Sequence, residues 1–265
     1  MAGLSNRAEP ARLVETNFTS FWSRFDRGVL GIPRDDHDTV VISSRVPSPI
    51  FNLVIARNPE LTVDAIREII DRYRQNQLPF RWVMLPSQTG SALVSRLETA
   101  GLVRRSTSPA MVLALDDLKR SHPKPPNLHL EPVLDFAGLE DFTRTLNAAD
   151  FHAPEEVARE LPALLQPGPK ESRLGLLVGR ENARPVATSL RFCSEGAVGI
   201  YAVSTLLEAR GRGIGSTMTY DAIEDGREAS HAPYAVLVST TLGFPVYRRL
   251  GFEVCGEFAT YVLPG

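Results

Sequence analysis

A chain of 265 residues, 43% of them hydrophobic, is long for one domain and sufficient to build a core in each of two. Its 29 basic and 31 acidic residues leave a net charge of −2, which argues against a general polyanion-binding surface and so against nucleic acid as a partner. Cys193 and Cys255 lie far apart with no CxxC or Cys/His cluster, so neither a disulfide framework nor a zinc or other metal site is expected and both read as small buried apolar residues.

In chain order, LVETNFTSFWSRFDRG has the pattern of an amphipathic helix, and DTVVISSRV and SPIFNLVIA read as strands. TVDAIREIIDRYRQN is predicted helical with Thr62 at its start, PFRWVMLP a strand, SALVSRLETAG a helix closing at Gly101, and SPAMVLALDDL a strand. Pro123, Pro125 and Pro126 then break the chain within polar surroundings. The expected division is a first domain over 1–120, a linker over 121–127 and a second domain over 128–265.

The second half begins with the strand LHLEPV, the helices GLEDFTRTLNAAD and PEEVARELPALL, and the strands RLGLLVG, PVATSLRF and VGIYAVST, with turns at EN and SEG. A helix from Gly213 to about Ser230, the strand PYAVLVST, a short helix FPVYRRL ending at Gly251 and the strand FEVCGEFATYVL complete it. The halves read as an internal repeat: Pro79-Phe80 matches Pro233-Tyr234, Leu97 matches Tyr247, and Gly101 matches Gly251. Only the second copy has a glycine-rich turn; the first has ARNPELT in its place. No run approaches the ~18 apolar residues of a membrane span, and MAGLSNRAEPARL has no apolar signal core, so a soluble cytoplasmic protein without a membrane partner is expected.

Within LLEARGRGIGSTMTYDAIEDG, three glycines and two arginines fall in six residues at a strand-to-helix turn. The first N–H groups of a helix lack intrahelical partners and, with the helix dipole, form an anion site. Gly211, Gly213 and Gly215 permit positive φ and close approach, while Arg210 and Arg212 add donors suited to a diphosphate. No Lys follows Gly215 as a Walker A loop requires, and Ser216 stands where the dinucleotide fingerprint needs its third glycine.

Arg210-Gly211-Arg212-Gly213-Ile214-Gly215 matches the R/Q-x-x-G-x-G/A signature of the GNAT superfamily of acyl-CoA-dependent N-acyltransferases, and LVSTTLGFPVYRRLGF resembles that family's second cofactor segment, ending in Tyr-x-x-x-Gly-Phe. The resemblance covers residues 128 to 262 and implies an α/β fold of tandem GNAT-like domains, each a mixed, mostly antiparallel sheet flanked by helices, with a degenerate first copy. It further implies acetyl-CoA, or another short acyl-CoA, as co-substrate and a small-molecule primary amine as acceptor, attacking directly in a ternary complex.

By that resemblance Val203 and Thr205 would hold the pantetheine arm, the turn from Arg210 to Ser216 the diphosphate, Ser239 would lie near the thiol and Thr240 at a position that contacts the pantetheine. Thr240 replaces the asparagine that many members carry. Tyr247 stands where the family's general acid sits; a ring packed on the last strand is its other reading. No base emerges from spacing: His152, Glu195, Tyr201 and a relayed water are the candidates. ADFHAP, residues 149 to 154, would by the same resemblance lie near the acceptor site and shape specificity. Asn52 and Trp82 could line the acceptor pocket, although packing suits Trp82 and a turn role suits Asn52.

Two rival readings remain: an acyl-CoA-binding or structural module without chemistry, and a protein-lysine acetyltransferase whose groove uses Glu155, Glu156 and Glu160, residues that also fit an ordinary helix face. A monomer or a homodimer is expected.

Overall fold

The computed structural model describes residues 8–30, 39–44, 46–120, 123–167, 172–194 and 196–264. The chain folds as two compact units, one of residues 1–110 with 255–265 and one of residues 111–254. The C-terminal strand thus contributes most of its length to the first unit, and each unit has its own core.

In the first unit, α1 (Ala8–Ser23) leads to β1 (Thr39–Ile42), β2 (Leu53–Ala56), α2 (Val63–Gln75), β3 (Arg81–Met84), α3 (Leu93–Thr99) and the greater part of β4 (Val103–Ala114), whose residues from Met111 on belong to the second. The strands β1 and β2 pair antiparallel and β2 and β3 parallel. Ile66, Ile69, Ile70 and Tyr73 place one apolar stripe of α2 against β2 and β3 in a core that includes Val54, Trp82 and Leu97. Each fully buried aliphatic side chain there contributes about 1.5–3 kcal/mol. Thr62 caps α2 by accepting from the Ala65 N–H at 3.2 Å.

The second unit carries β5 (Leu128–Pro132), α4 (Phe136–Leu146), α5 (Glu155–Ala158), α6 (Leu161–Leu165), β6 (Leu174–Glu181), β7 (Arg184–Ser194), β8 (Ala197–Thr205), α7 (Ile214–Ser230), β9 (Tyr234–Val238) and α8 (Phe244–Leu250). The final strand β10 (Glu253–Val262) crosses into the first unit and pairs antiparallel with β3. From β5 to β8 the strands run antiparallel in sequence order, joined at β6–β7 by Asn182 and Ala183, both at positive φ as a two-residue hairpin turn requires. The β8–β9 pair is parallel. Phe192, Val198, Leu250 and Phe252 are among the fully buried residues that α7, α8 and the sheet enclose.

The expected elements are present, with two differences. PEEVARELPALL is two short helices rather than one, because Arg159 and Glu160 turn out of α5 and Pro162 opens α6. The helix GLEDFTRTLNAAD ends in a π-helical turn, Asn147–Phe151, closed by His152 in the left-handed region. Among the described residues no helix is long and apolar enough to cross a membrane, and no group of three His, Cys, Asp or Glu is placed to hold a metal ion.

Candidate functional site

The site begins where β8 and β9 part. Their ladder joins Ala197–Gly199 to Tyr234–Val236, yet β8 runs on to Thr205 and β9 to Val238. The β8 strand also bulges: Thr188 faces Ser204 and Leu190 faces Tyr201, so β8 has one residue more than β7 over this stretch. Ala202 takes up the excess at φ 48°, a strained conformation for a residue with a Cβ. The Thr188 hydroxyl holds it by donating to the Ala202 carbonyl at 2.8 Å. Bulges turn the strand beyond them, and Val203 and Thr205 lie on the turned segment.

From Thr205 a short 3-10 turn, Leu207–Ala209, leads to the glycine loop. Gly211 has φ 77° and Gly213, which precedes α7, has φ 80°. A Cβ on Gly211 would meet nothing within 4 Å, so glycine is needed there for its backbone angle and not for space. At Gly215 a Cβ would sit 3.6 Å from the Thr205 hydroxyl, an ordinary contact. The ladder of α7 opens with the Thr217 N–H donating to the Gly213 carbonyl at 3.0 Å, and no side chain caps the helix. The first turn from Ile214, with Gly215 and buried Ser216, therefore forms the positive end of a 17-residue helix.

The two arginines are committed elsewhere. Arg210 donates to the Thr205 carbonyl and to the Ala149 carbonyl, each at 2.9 Å. Arg212 forms a fork on Glu181 at 2.8 and 3.1 Å. In this geometry the guanidinium groups brace the turn, and backbone N–H groups are what it presents to an anion. Backbone N–H groups at a helix start can bind an anion without side-chain donors.

Tyr247 lies in α8 with its ring against Gly243, where a Cβ would come within 2.6 Å of Cε2. The ring also meets Phe252 edge-on at 5.9 Å. Burial, and secondarily the negative charge of Asp150, push its phenol up to about 12. Tyr247 is consequently a neutral hydrogen-bond donor at any physiological pH.

Asp150 is the residue that sequence reasoning missed. It sits in the π-helical turn, exposed to solvent, and its carboxylate lies 3.5 Å from the buried Ser204 hydroxyl on β8. Such turns recur at functional sites because they re-aim side chains out of helical register. His152, two residues on, is exposed and closes the turn through its own N–H to the Asn147 carbonyl at 2.8 Å. Tyr201 has its phenol pushed far above the ordinary range by burial, so it is not a base near neutrality. Glu195 lies outside the described residues.

The remaining candidates are local formers of structure. Ser239 is buried and donates to the Thr240 carbonyl at 2.8 Å. The Thr240 hydroxyl accepts from the Gly243 N–H at 3.1 Å, shaping the entry to α8. Glu155 pairs with Arg159 one turn away on α5, and Glu156 and Glu160 are exposed on the same segment. In the first unit, Asn52 is buried with its amide fully occupied, accepting from Ser44 and donating to the Val46 and Ser48 carbonyls. Trp82 is wholly buried in that unit's core. Cys193 is buried and Cys255 partly so, both as free thiols, with burial pushing Cys255 up to about 11.

Neither a protein-family model nor a curated protein sequence matches the chain. Solved structures do. A GCN5-related N-acetyltransferase from Kribbella flavida superposes with a TM-score of 0.66 at 20% identity, over 86% of this chain and 87% of the other. The fold is that of the GNAT acetyltransferases. A GNAT protein from Sphaerobacter thermophilus gives 0.63 at 17% identity, over 86% and 77% of the two chains. A tandem GNAT protein from the clavulanic acid biosynthesis pathway gives 0.55 at 12% identity, over 82% and 75%. In GNAT terms, the parted strands β8 and β9 and the glycine turn before α7 belong to the second unit, within residues 111–254.

Proposed function

We propose that the second unit transfers an acetyl or other short acyl group from acyl-CoA to a primary amine of a small molecule. The observation that carries this reading is the junction of three features in one unit: parted parallel strands, an uncapped glycine turn opening a long helix, and a buried neutral tyrosine beside a carboxylate. The neighbours of the same fold are N-acetyltransferases by name.

When bound, acyl-CoA supplies the thioester as electrophile. The chain's part is to hold it and to manage protons. Backbone N–H groups at the start of α7 take the diphosphate, with Arg210 and Arg212 keeping the turn in shape. The edge of β8 beyond Gly199, around Val203 and Thr205, offers backbone groups to an amide-bearing arm in the manner of an added strand. Asp150 attracts a protonated amine, and the proton that the amine sheds leaves by way of its exposed carboxylate. Tyr247 would give its proton to the departing sulfur as the thioester carbon–sulfur bond breaks, and the phenolate would then be reprotonated from solvent.

The first unit is proposed to be a non-catalytic partner copy. Its α2 is capped by Thr62 and has Asp64 in its first turn, so a diphosphate would meet a filled donor and a like charge. Leu97, where the second copy has Tyr247, is buried in the core.

The test is a transfer assay. Acetyl-CoA is incubated with a panel of small primary amines and with lysine peptides while thiol release and acetylated product are followed. Amine-dependent thiol release with a small amine is expected, and Tyr247→Phe should reduce it. Acetylation of the peptides alone would replace the small-molecule acceptor with a protein one, and acetyl-CoA binding without transfer to any amine would reduce the unit to a binding module.

A further inference from the structure

Among the described residues, the first unit holds an arginine with no carboxylate partner. Arg81, at the start of β3, lies over the Trp22 ring with its guanidinium carbon 5.2 Å from the ring centroid. Its Nε is sealed from solvent and has no hydrogen-bond partner, and the same is true of the Trp22 indole Nε1. Two N–H donors of stacked side chains are therefore orphaned together.

The surroundings are aromatic. Trp22 is ringed by Phe18, Phe21, Phe25 and Phe51 at centroid distances from 5.3 to 6.4 Å. Burial alone lowers the Arg81 guanidinium to about 10, with no opposing charge to hold it up. Two arginines of the second unit are treated differently. Arg191 meets Asp225 at 2.6 Å and the Ser172 carbonyl at 2.8 Å, and Arg180 lies between Glu131 and Asp141. A charge removed from water is normally paired, because leaving it alone is expensive. A guanidinium whose outer nitrogens alone are open, lying on an aromatic wall, suits one chemistry: an oxyanion accepting from those outer nitrogens, with an apolar body resting on the rings.

We propose that Arg81 and Trp22 form a binding site in the first unit for the carboxylate or phosphate group of a small molecule. Arg81 is only half-buried as a residue, so the anion would reach the guanidinium from its outer nitrogens. The planar fork supplies the orientation and the Trp22 ring beneath it the apolar support. The site is separate from the acyl-CoA reading and stands whether or not the second unit is an enzyme.

The experiment is thermal unfolding of the full chain in inorganic phosphate, in acetate and in chloride at matched ionic strength, paired with the indole N–H resonance of Trp22. The expected result is a saturable rise in melting temperature with phosphate or acetate over chloride, about 3–6 °C at ten times the dissociation constant. The Trp22 indole signal should shift along the same curve while that of Trp82 stays in place. The more effective anion identifies the source, phosphate or carboxylate. Arg81→Met should abolish both responses and, by deleting an unpaired charge, should melt no lower than the native chain in chloride. Arg81→Lys keeps the charge without the planar fork and should weaken the response several-fold. Identical curves in all three salts, or equal responses in the native chain and Arg81→Met, would overturn the proposal.

Discussion

The Arg210 guanidinium donates to the Ala149 carbonyl at 2.9 Å, joining the glycine turn to the π-helical turn that carries Asp150. With its second bond, to the Thr205 carbonyl, Arg210 ties three segments of one unit together. Arg210→Ala should therefore speed amide hydrogen exchange across residues 147–153 and lower stability by about 1–3 kcal/mol. Acetyl-CoA affinity should fall by less than about tenfold, since backbone donors remain. Exchange mass spectrometry and calorimetry on the same variant check both parts.

Tyr247 and Asp150 make separable predictions. Tyr247→Phe keeps the ring packed on Gly243 and Phe252 but removes the donor. It should lower kcat by about 10²-fold or more with little change in acetyl-CoA KM. Asp150→Asn should instead raise the KM of a cationic amine. It should also bring the Tyr247 phenol down from about 12, because the Asp150 charge contributes to that elevation. Steady-state kinetics and ultraviolet titration of the phenol distinguish the two.

Alkaline pH should unfold the chain. The phenols of Tyr73, Tyr201, Tyr247 and Tyr261 are all raised, with burial the leading cause. A phenol whose pKa is higher folded than unfolded adds stability that is fully present below about pH 10 and is lost as pH rises through the folded value. For Tyr247 that window runs from about 10 to about 12. Phenolate absorbance should lag behind that of free tyrosine near pH 10 and then rise together with loss of far-ultraviolet circular dichroism.

Gly226 sets how closely α7 rests on the sheet. A Cβ there would fall 2.3 Å from Cγ1 of Val198 on β8. Gly226→Ala should cost about 1–3 kcal/mol, read as a lowered melting temperature, and Val198→Ala in the same chain should restore part of the loss.

Much of this site was legible in the sequence because glycine and proline act locally. The turn at Gly211 and Gly213 adopts the positive φ that its composition implied, and α7 starts where the apolar period begins. The parting of β8 from β9 was not legible, since it follows from a single extra residue at Ala202 that leaves the alternation of VGIYAVST intact. Asp150 escaped notice because the π-helical turn shifts its register, and the spacing of ADFHAP drew attention to His152 instead. The arginines of the glycine turn had their charge read correctly and their partners not: Glu181 and the Ala149 carbonyl are distant in sequence, so only the folded chain brings them within reach.

The most direct test is calorimetric titration of the full chain with acetyl-CoA, beside the variant Gly215→Asp. The aspartate backbone fits the helical conformation there, and its Cβ has room, but its carboxylate would stand in the anion cradle. Binding by the native chain at one site, lost in Gly215→Asp while melting temperature is kept, is the predicted result. No binding of acetyl-CoA by the native chain, or equal binding by both, would contradict the proposal that the glycine turn of the second unit holds acyl-CoA.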